Sequence, residues 1–232
     1  MAAVAHQKLL AATAAAVLAI VTVSCSSTVN QSATHSESPP KRPDFTQVTE
    51  SMFVGASAIP NSSAWDFTGA VLNPDGNYPY ADQADPPECT TLVSGLPHGP
   101  KGAADWSMWP TGGADSDMPE QTFTVLLAVP IGQPDLQGLR DLLRKCTTFH
   151  AGELTSTVSP PLKHPGLPDS AVAWRQISTG PYGSKGAEII GLSRGLYVEV
   201  YTWRTDGAET SPADLDILVN LFNEQVSKLE AA

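Results

Sequence analysis

Gly191-Leu192-Ser193-Arg194-Gly195 matches G-x-S-x-G, the pattern that presents a nucleophilic serine in α/β-hydrolases. That chemistry needs a strand, a sharp turn exposing the serine Oγ, and a helix whose first amides help hold an oxyanion. The segment after this motif, Leu196 to Trp203 (LYVEVYTW), alternates with period two and predicts a strand instead. The elbow order also places a histidine after the serine, and no histidine follows Ser193. The motif therefore reads as a hairpin turn. An envelope serine hydrolase using Ser193 stands as the alternative.

The strand after the motif carries the more informative side chains. Leu196, Val198 and Val200 face one way, and Tyr197, Glu199, Tyr201 and Trp203 face the other. If a C-terminal helix covers the aliphatic side, an aromatic row with one carboxylate lies on the opposite side. Trp174 and Arg175 on a neighbouring strand point to opposite faces, so only one of them joins the row. Arg175 is grouped with Tyr197, Glu199, Tyr201 and Trp203 as the candidate ligand-binding set. Such rows suit a ligand groove and equally suit cross-strand packing under a loop.

Other chemistry-bearing residues are sparse. His6, His35, His98, His150 and His164 show no metal-ligand spacing and read as solvated histidines. Asp115-Ser116-Asp117 with Glu120, and Asp82, Asp85 and Glu88, form acidic loop clusters without the ligand spacing or central glycine of a calcium loop. No metal and no cofactor are expected.

The three cysteines are Cys25, Cys89 and Cys146. The first follows an export signal. Lys8 precedes an uncharged apolar run, Leu9 to Val23, shorter than the roughly 20 residues a spanning helix needs. The run ends at Thr22-Val23-Ser24-Cys25, which resembles the lipobox of bacterial lipoproteins, in which the cysteine is diacylated and becomes the mature N-terminus. Thr22 departs from the usual leucine, and Thr22 with Ser24 also suits ordinary signal cleavage. A diacyl anchor would hold the chain stably on a membrane at about 0.8 kcal/mol per buried CH₂. With Cys25 lipidated, two thiols remain in an oxidising compartment, and a Cys89–Cys146 bridge is expected. A metal site is the rival, but two isolated cysteines supply too few ligands.

The elements that must position these groups follow from periodicity. Ser26 to Pro43 is Ser/Thr-rich, then Pro-rich, and reads as a tether. Asp44-Phe45-Thr46-Gln47 has the spacing of a helix cap and predicts a short helix running out near Gly55. Residues 60–88 read as loop, with a turn at Asn73-Pro74-Asp75-Gly76. Pro86-Pro87-Glu88-Cys89 opens a short helix to about Ser94, and a strand is expected near Ala104 to Trp109. Phe123, Val125, Leu127 and Val129 alternate along a strand ending at Pro130. Leu136, Leu139, Leu142, Leu143 and Cys146 form the apolar stripe of a helix starting at Pro134. Residues 152–159, 171–179, 186–193 and 196–204 predict four further strands in antiparallel order. Ser211-Pro212-Ala213-Asp214 caps a final helix with a Leu215, Leu218, Val219, Phe222, Val226, Leu229 stripe. Strands in succession with helices at the ends indicate an α+β fold, an antiparallel sheet packed by helices in a single exported domain. The expected division is 1–24 signal peptide, 25–43 tether and 44–232 domain.

Pro86 to Cys89, Thr122 to Pro130, Leu139 to Cys146 and Leu196 to Val200 together resemble the extracellular sensor domain of mycobacterial receptor-type serine/threonine kinases and the mycobacterial lipoproteins carrying related domains. The resemblance covers roughly residues 44–230. It implies paired cysteines at the positions of Cys89 and Cys146, an antiparallel sheet packed by helices, and a cleft proposed to bind a ligand. It names no ligand, and this chain lacks the second disulfide of the kinase domain.

The composition narrows the classes further. Charged residues are 16% of 232, with a formal charge of −11 and no basic stripe, which speaks against a nucleic-acid partner. Loss of Lys8 with the signal makes the charge −12, so adhesion to anionic lipid by charge is disfavoured. Eighteen glycines and 20 prolines predict many loops and exclude a coiled coil. The expected function is a lipid-anchored, extracytoplasmic, non-enzymatic module on the outer face of the cell membrane. It would bind a small ligand or an envelope protein and touch the membrane through its diacylglycerol anchor. A structural lipoprotein without a ligand is the remaining alternative.

Overall fold

Residues Gln121–Pro130 form a strand buried on both faces: Phe123, Val125 and Leu127 on one, Thr124, Leu126 and Ala128 on the other. A strand buried on both faces must lie between two covering layers. The computed structural model describes residues 42–58, 65–67, 71–73, 83–94, 100–110, 121–181 and 183–232. They lie in one compact unit, Lys41–Ala232. The signal, Cys25, the tether up to Lys41 and the turn after Asn73 lie outside the described residues.

The strands are β1 Trp65–Phe67, β2 Val71–Asn73, β3 Ala84–Asp85, β4 Pro100–Pro110, β5 Gln121–Pro130, β6 Thr148–Ala151, β7 Leu154–Val158, β8 Val172–Thr179, β9 Ser184–Ser193 and β10 Leu196–Arg204. They form one sheet in the order β1-β4-β5-β10-β9-β8-β7-β6-β3, with β2 also paired to β4. Every pairing is antiparallel. The helices are α1 Thr91–Ser94, α2 Leu136–Lys145 and α3 Pro212–Ala231. The architecture is α+β.

The two layers follow from two apolar stripes. On one face α3 lays Leu218, Val219, Leu221, Phe222 and Leu229 over Val125, Ile189, Leu196, Val198 and Val200. Its start is fixed by a capping box, in which Ser211 Oγ accepts from the Asp214 amide and the Asp214 carboxylate accepts from the Ser211 amide. On the other face α2 contributes Leu136, Leu139 and Leu143 to a core with Leu126, Val172, Trp174, Ile190 and Tyr197. Asp135 caps α2, its Oδ1 accepting from the Gly138 amide at 2.7 Å. The Cys89–Cys146 disulfide joins the 3-10 turn Pro87–Thr90 to the end of α2, with both cysteines buried.

Several local expectations give way to tertiary contacts. The cap spacing at Asp44 starts no helix, and only a 3-10 turn at Glu50–Met52 forms. Phe45 is drawn instead to the β9–β10 turn, donating its amide to Arg194 O at 2.8 Å and stacking its ring under the Arg194 guanidinium at 4.1 Å. Buried Gln225 then holds the chain, accepting from the Val54 amide at 2.9 Å and donating to Met52 O at 2.7 Å. Strand β6 falls where none is expected, because Thr148–Ala151 gains partners in β7 and β3. Short strands β1 to β3 interrupt the expected loop 60–88, and β4 is longer than Ala104 to Trp109.

Candidate functional site

Tyr197, Glu199, Tyr201 and Trp203 share one face of β10, and antiparallel register carries that face across the sheet. Tyr201 pairs with Glu188, which pairs with Trp174. Trp203 pairs with Gly186, which pairs with Gln176. The face therefore holds Trp174, Gln176 and Glu188 beside the row. Arg175 does not belong to it. Arg175 pairs with Ala187, which pairs with Thr202, so it lies on the α3 face, and it is exposed. Alternation is the reason: once Trp174 faces Glu188, its neighbour must face away. Glu188 escaped the sequence reading, although a lone carboxylate in Ala187-Glu188-Ile189-Ile190 was the available signal.

The row is covered unevenly. Tyr197 is buried in the α2 core, and burial raises its phenol pKa. Tyr201 and Trp203 are half-buried, with ring centroids 6.1 Å apart and planes tilted by 59°. Between these ends lie the two acids, Glu188 at 5% and Glu199 at 3% exposure.

The two carboxyls are hydrogen-bonded to each other. Two ionised carboxylates cannot share such a contact, so the pair retains a proton. Burial pushes Glu199 up to about 7, against the lowering effect of its bond to Glu188. Burial pushes Glu188 well above the usual carboxylate range, and the charge of Glu199 and the shared hydrogen bond add to the rise.

Among the described residues, four buried polar atoms on this face have no hydrogen-bond partner: Trp174 Nε1, Gln176 Oε1, Glu188 Oε1 and Glu199 Oε2. The amide nitrogen of Gln176 is engaged with Ser156 and Ser178 at 3.5 and 3.4 Å, and those two hydroxyls bond each other at 2.9 Å. Buried polar atoms ordinarily find partners, at a cost of about 1–3 kcal/mol when they do not. An indole N–H only donates, an amide oxygen only accepts, and a half-protonated carboxyl pair does both. The complement is a small polar group that both donates and accepts.

The remaining candidates serve the fold. Ser193 closes β9 opposite Leu196, and its Oγ donates to Glu230 Oε1 of α3 at 2.7 Å. Arg194 and Gly195 take φ of 45° and 81°, the positive pair of a two-residue hairpin turn. Arg194 donates to Pro43 O at 2.7 Å and Leu229 O at 3.1 Å. A strand follows the motif, so no helix N-terminus supplies oxyanion amides to Ser193. His150 Nδ1 lies 3.0 Å from Thr155 Oγ1, and His164 Nε2 lies 2.9 Å from Asp216 Oδ1. Among the described residues no cluster of three or more His, Cys, Asp or Glu could hold a metal ion. His98, Asp82, Asp115, Asp117 and Glu120 lie outside the described residues, while Asp85 and Glu88 are exposed. No described helix is long and apolar enough to cross a membrane.

Solved mycobacterial structures resemble this chain in fold. The extracellular domain of PknH from Mycobacterium tuberculosis superposes with a TM-score of 0.46 at 11% identity, covering 78% of this chain and 98% of that one. An uncharacterized Mycobacterium smegmatis protein, the Rv0999 ortholog, gives a TM-score of 0.45 at 13% identity, covering 75% and 92%. No protein-family model and no curated protein matches the chain.

Proposed function

We propose that this protein is a non-enzymatic, sensor-like ligand-binding module of the cell envelope, lipid-anchored through Cys25 by a tether over residues 25–43. The observation that carries the binding is the set of four buried polar atoms beside Tyr201 and Trp203 that find no partner among the described residues. A fold tolerates that many orphans in one patch where something outside the chain satisfies them. The ligand is a small polar molecule with donors and acceptors for the carboxyl pair and a flat or apolar face for the two rings. The disulfide supports an oxidising, extracytoplasmic location, and the signal and lipobox pattern support the anchor.

Native mass spectrometry of the purified mature protein, seeking a co-purified small molecule, tests the binding. Tyr201→Ala with Trp203→Ala should abolish that adduct while the protein still folds. If stability collapses and no ligand signal separates from it, the row is packing alone. Mass analysis of the mature N-terminal peptide tests the anchor, since an unacylated Cys25 removes it.

A further inference from the structure

A cleft of about 680 Å³ opens between α2 and segment 159–170, which joins β7 to β8. Small-molecule sites occupy about 300–1,000 Å³. One wall is apolar, built by Pro160, Pro161, Pro165 and Pro168 with Leu162 and Leu167. Proline fixes φ, and the wall is tied down along its length. The Leu162 amide donates to Ala173 O at 2.7 Å, Asn223 Nδ2 of α3 donates to Gly166 O at 2.8 Å, and His164 meets Asp216 of α3. The wall is thus formed before any ligand arrives, which lowers the ordering cost of binding.

Cations line the cleft from both sides, Arg140 and Arg144 on α2 and Lys163 on segment 159–170. Arg140 Nη2 donates to Asp169 O at 2.6 Å and Ala171 O at 3.0 Å, which holds the guanidinium at the cleft. Arg144 shares only an exposed i,i+3 pair with Asp141, an arrangement worth little in water. Lys163 has no hydrogen-bond or ion-pair partner among the described residues. Against these three cations the described lining residues hold one carboxylate, Asp169, in a chain whose net charge is −11. Positive charge gathered in a concave site of an acidic protein focuses anions there.

We propose that this cleft binds a small amphiphilic organic anion, its phosphate or carboxylate held by Arg140, Arg144 and Lys163 and its apolar body laid against the proline wall. The site is separate from the aromatic row and does not depend on it. Titration of the full-length protein with phenyl phosphate, inorganic phosphate and benzyl alcohol, followed by amide chemical shifts, tests it. Phenyl phosphate should bind about tenfold or more tighter than either fragment. Arg144→Gln with Lys163→Gln should weaken it about tenfold or more without moving Tm, since both side chains are exposed. Tyr201→Ala should leave it unchanged. Equal binding of either fragment, no binding of phenyl phosphate, unchanged affinity in the double variant, or loss in Tyr201→Ala would each overturn the proposal.

Discussion

Glu188 and Glu199 sit on adjacent strands of one sheet face, buried and hydrogen-bonded carboxyl to carboxyl. Each folded-state pKa is raised, Glu199 to about 7, so the native protein binds more protons than the unfolded chain between the ordinary glutamate pKa and that value. Stability from the raised pKa of Glu199 is therefore fully present below about pH 4.5 and is lost as pH rises through about 7. Denaturant midpoints measured from pH 5 to pH 8 should fall in the native protein. They should stay nearly level in Glu188→Gln/Glu199→Gln. A native midpoint that rises across this range would contradict the buried pair.

At Gly191 the Phe222 ring of α3 packs directly against the sheet backbone. A Cβ there would lie 2.5 Å from Phe222 Cζ, so Gly191→Ala forces the ring or the helix to move. The expected cost is about 1–3 kcal/mol. Phe222→Leu in the same chain should recover part of it, which a double-mutant cycle reads directly. Strict additivity would show that the two residues do not meet.

The Cys89–Cys146 bridge closes a sequence separation of 57 residues. Loop entropy predicts a loss of about 4 kcal/mol when it is removed. Cys89→Ala/Cys146→Ala should lower the denaturant midpoint accordingly, and thiol titration of the unreduced native protein should find neither sulfur reactive. A reactive thiol at either position would refute the pairing.

Ser193→Ala removes a hydroxyl that donates to Glu230. The expected effect is a stability change of about 1 kcal/mol. Any esterase background in the preparation should be the same for both proteins. Turnover that disappears with the substitution would restore the hydrolase alternative.

The sequence alone determined what local periodicity can encode. Strands β5, β8, β9 and β10 and helices α2 and α3 were legible because each presents an apolar stripe of its own period, and α3 also carries its cap in Ser211-Pro212-Ala213-Asp214. The hairpin nature of Gly191 to Gly195 was legible from the alternation that follows it. The cysteine count pointed to Cys89 and Cys146. Only the tertiary structure decided which side chains meet. Trp174 rather than Arg175 joins Tyr201 because register, a relation between strands, sets the shared face. The Glu188–Glu199 contact and the Asp44–Gly55 segment's departure from helix have the same origin: partners distant in sequence supply burial and hydrogen bonds that no local pattern records.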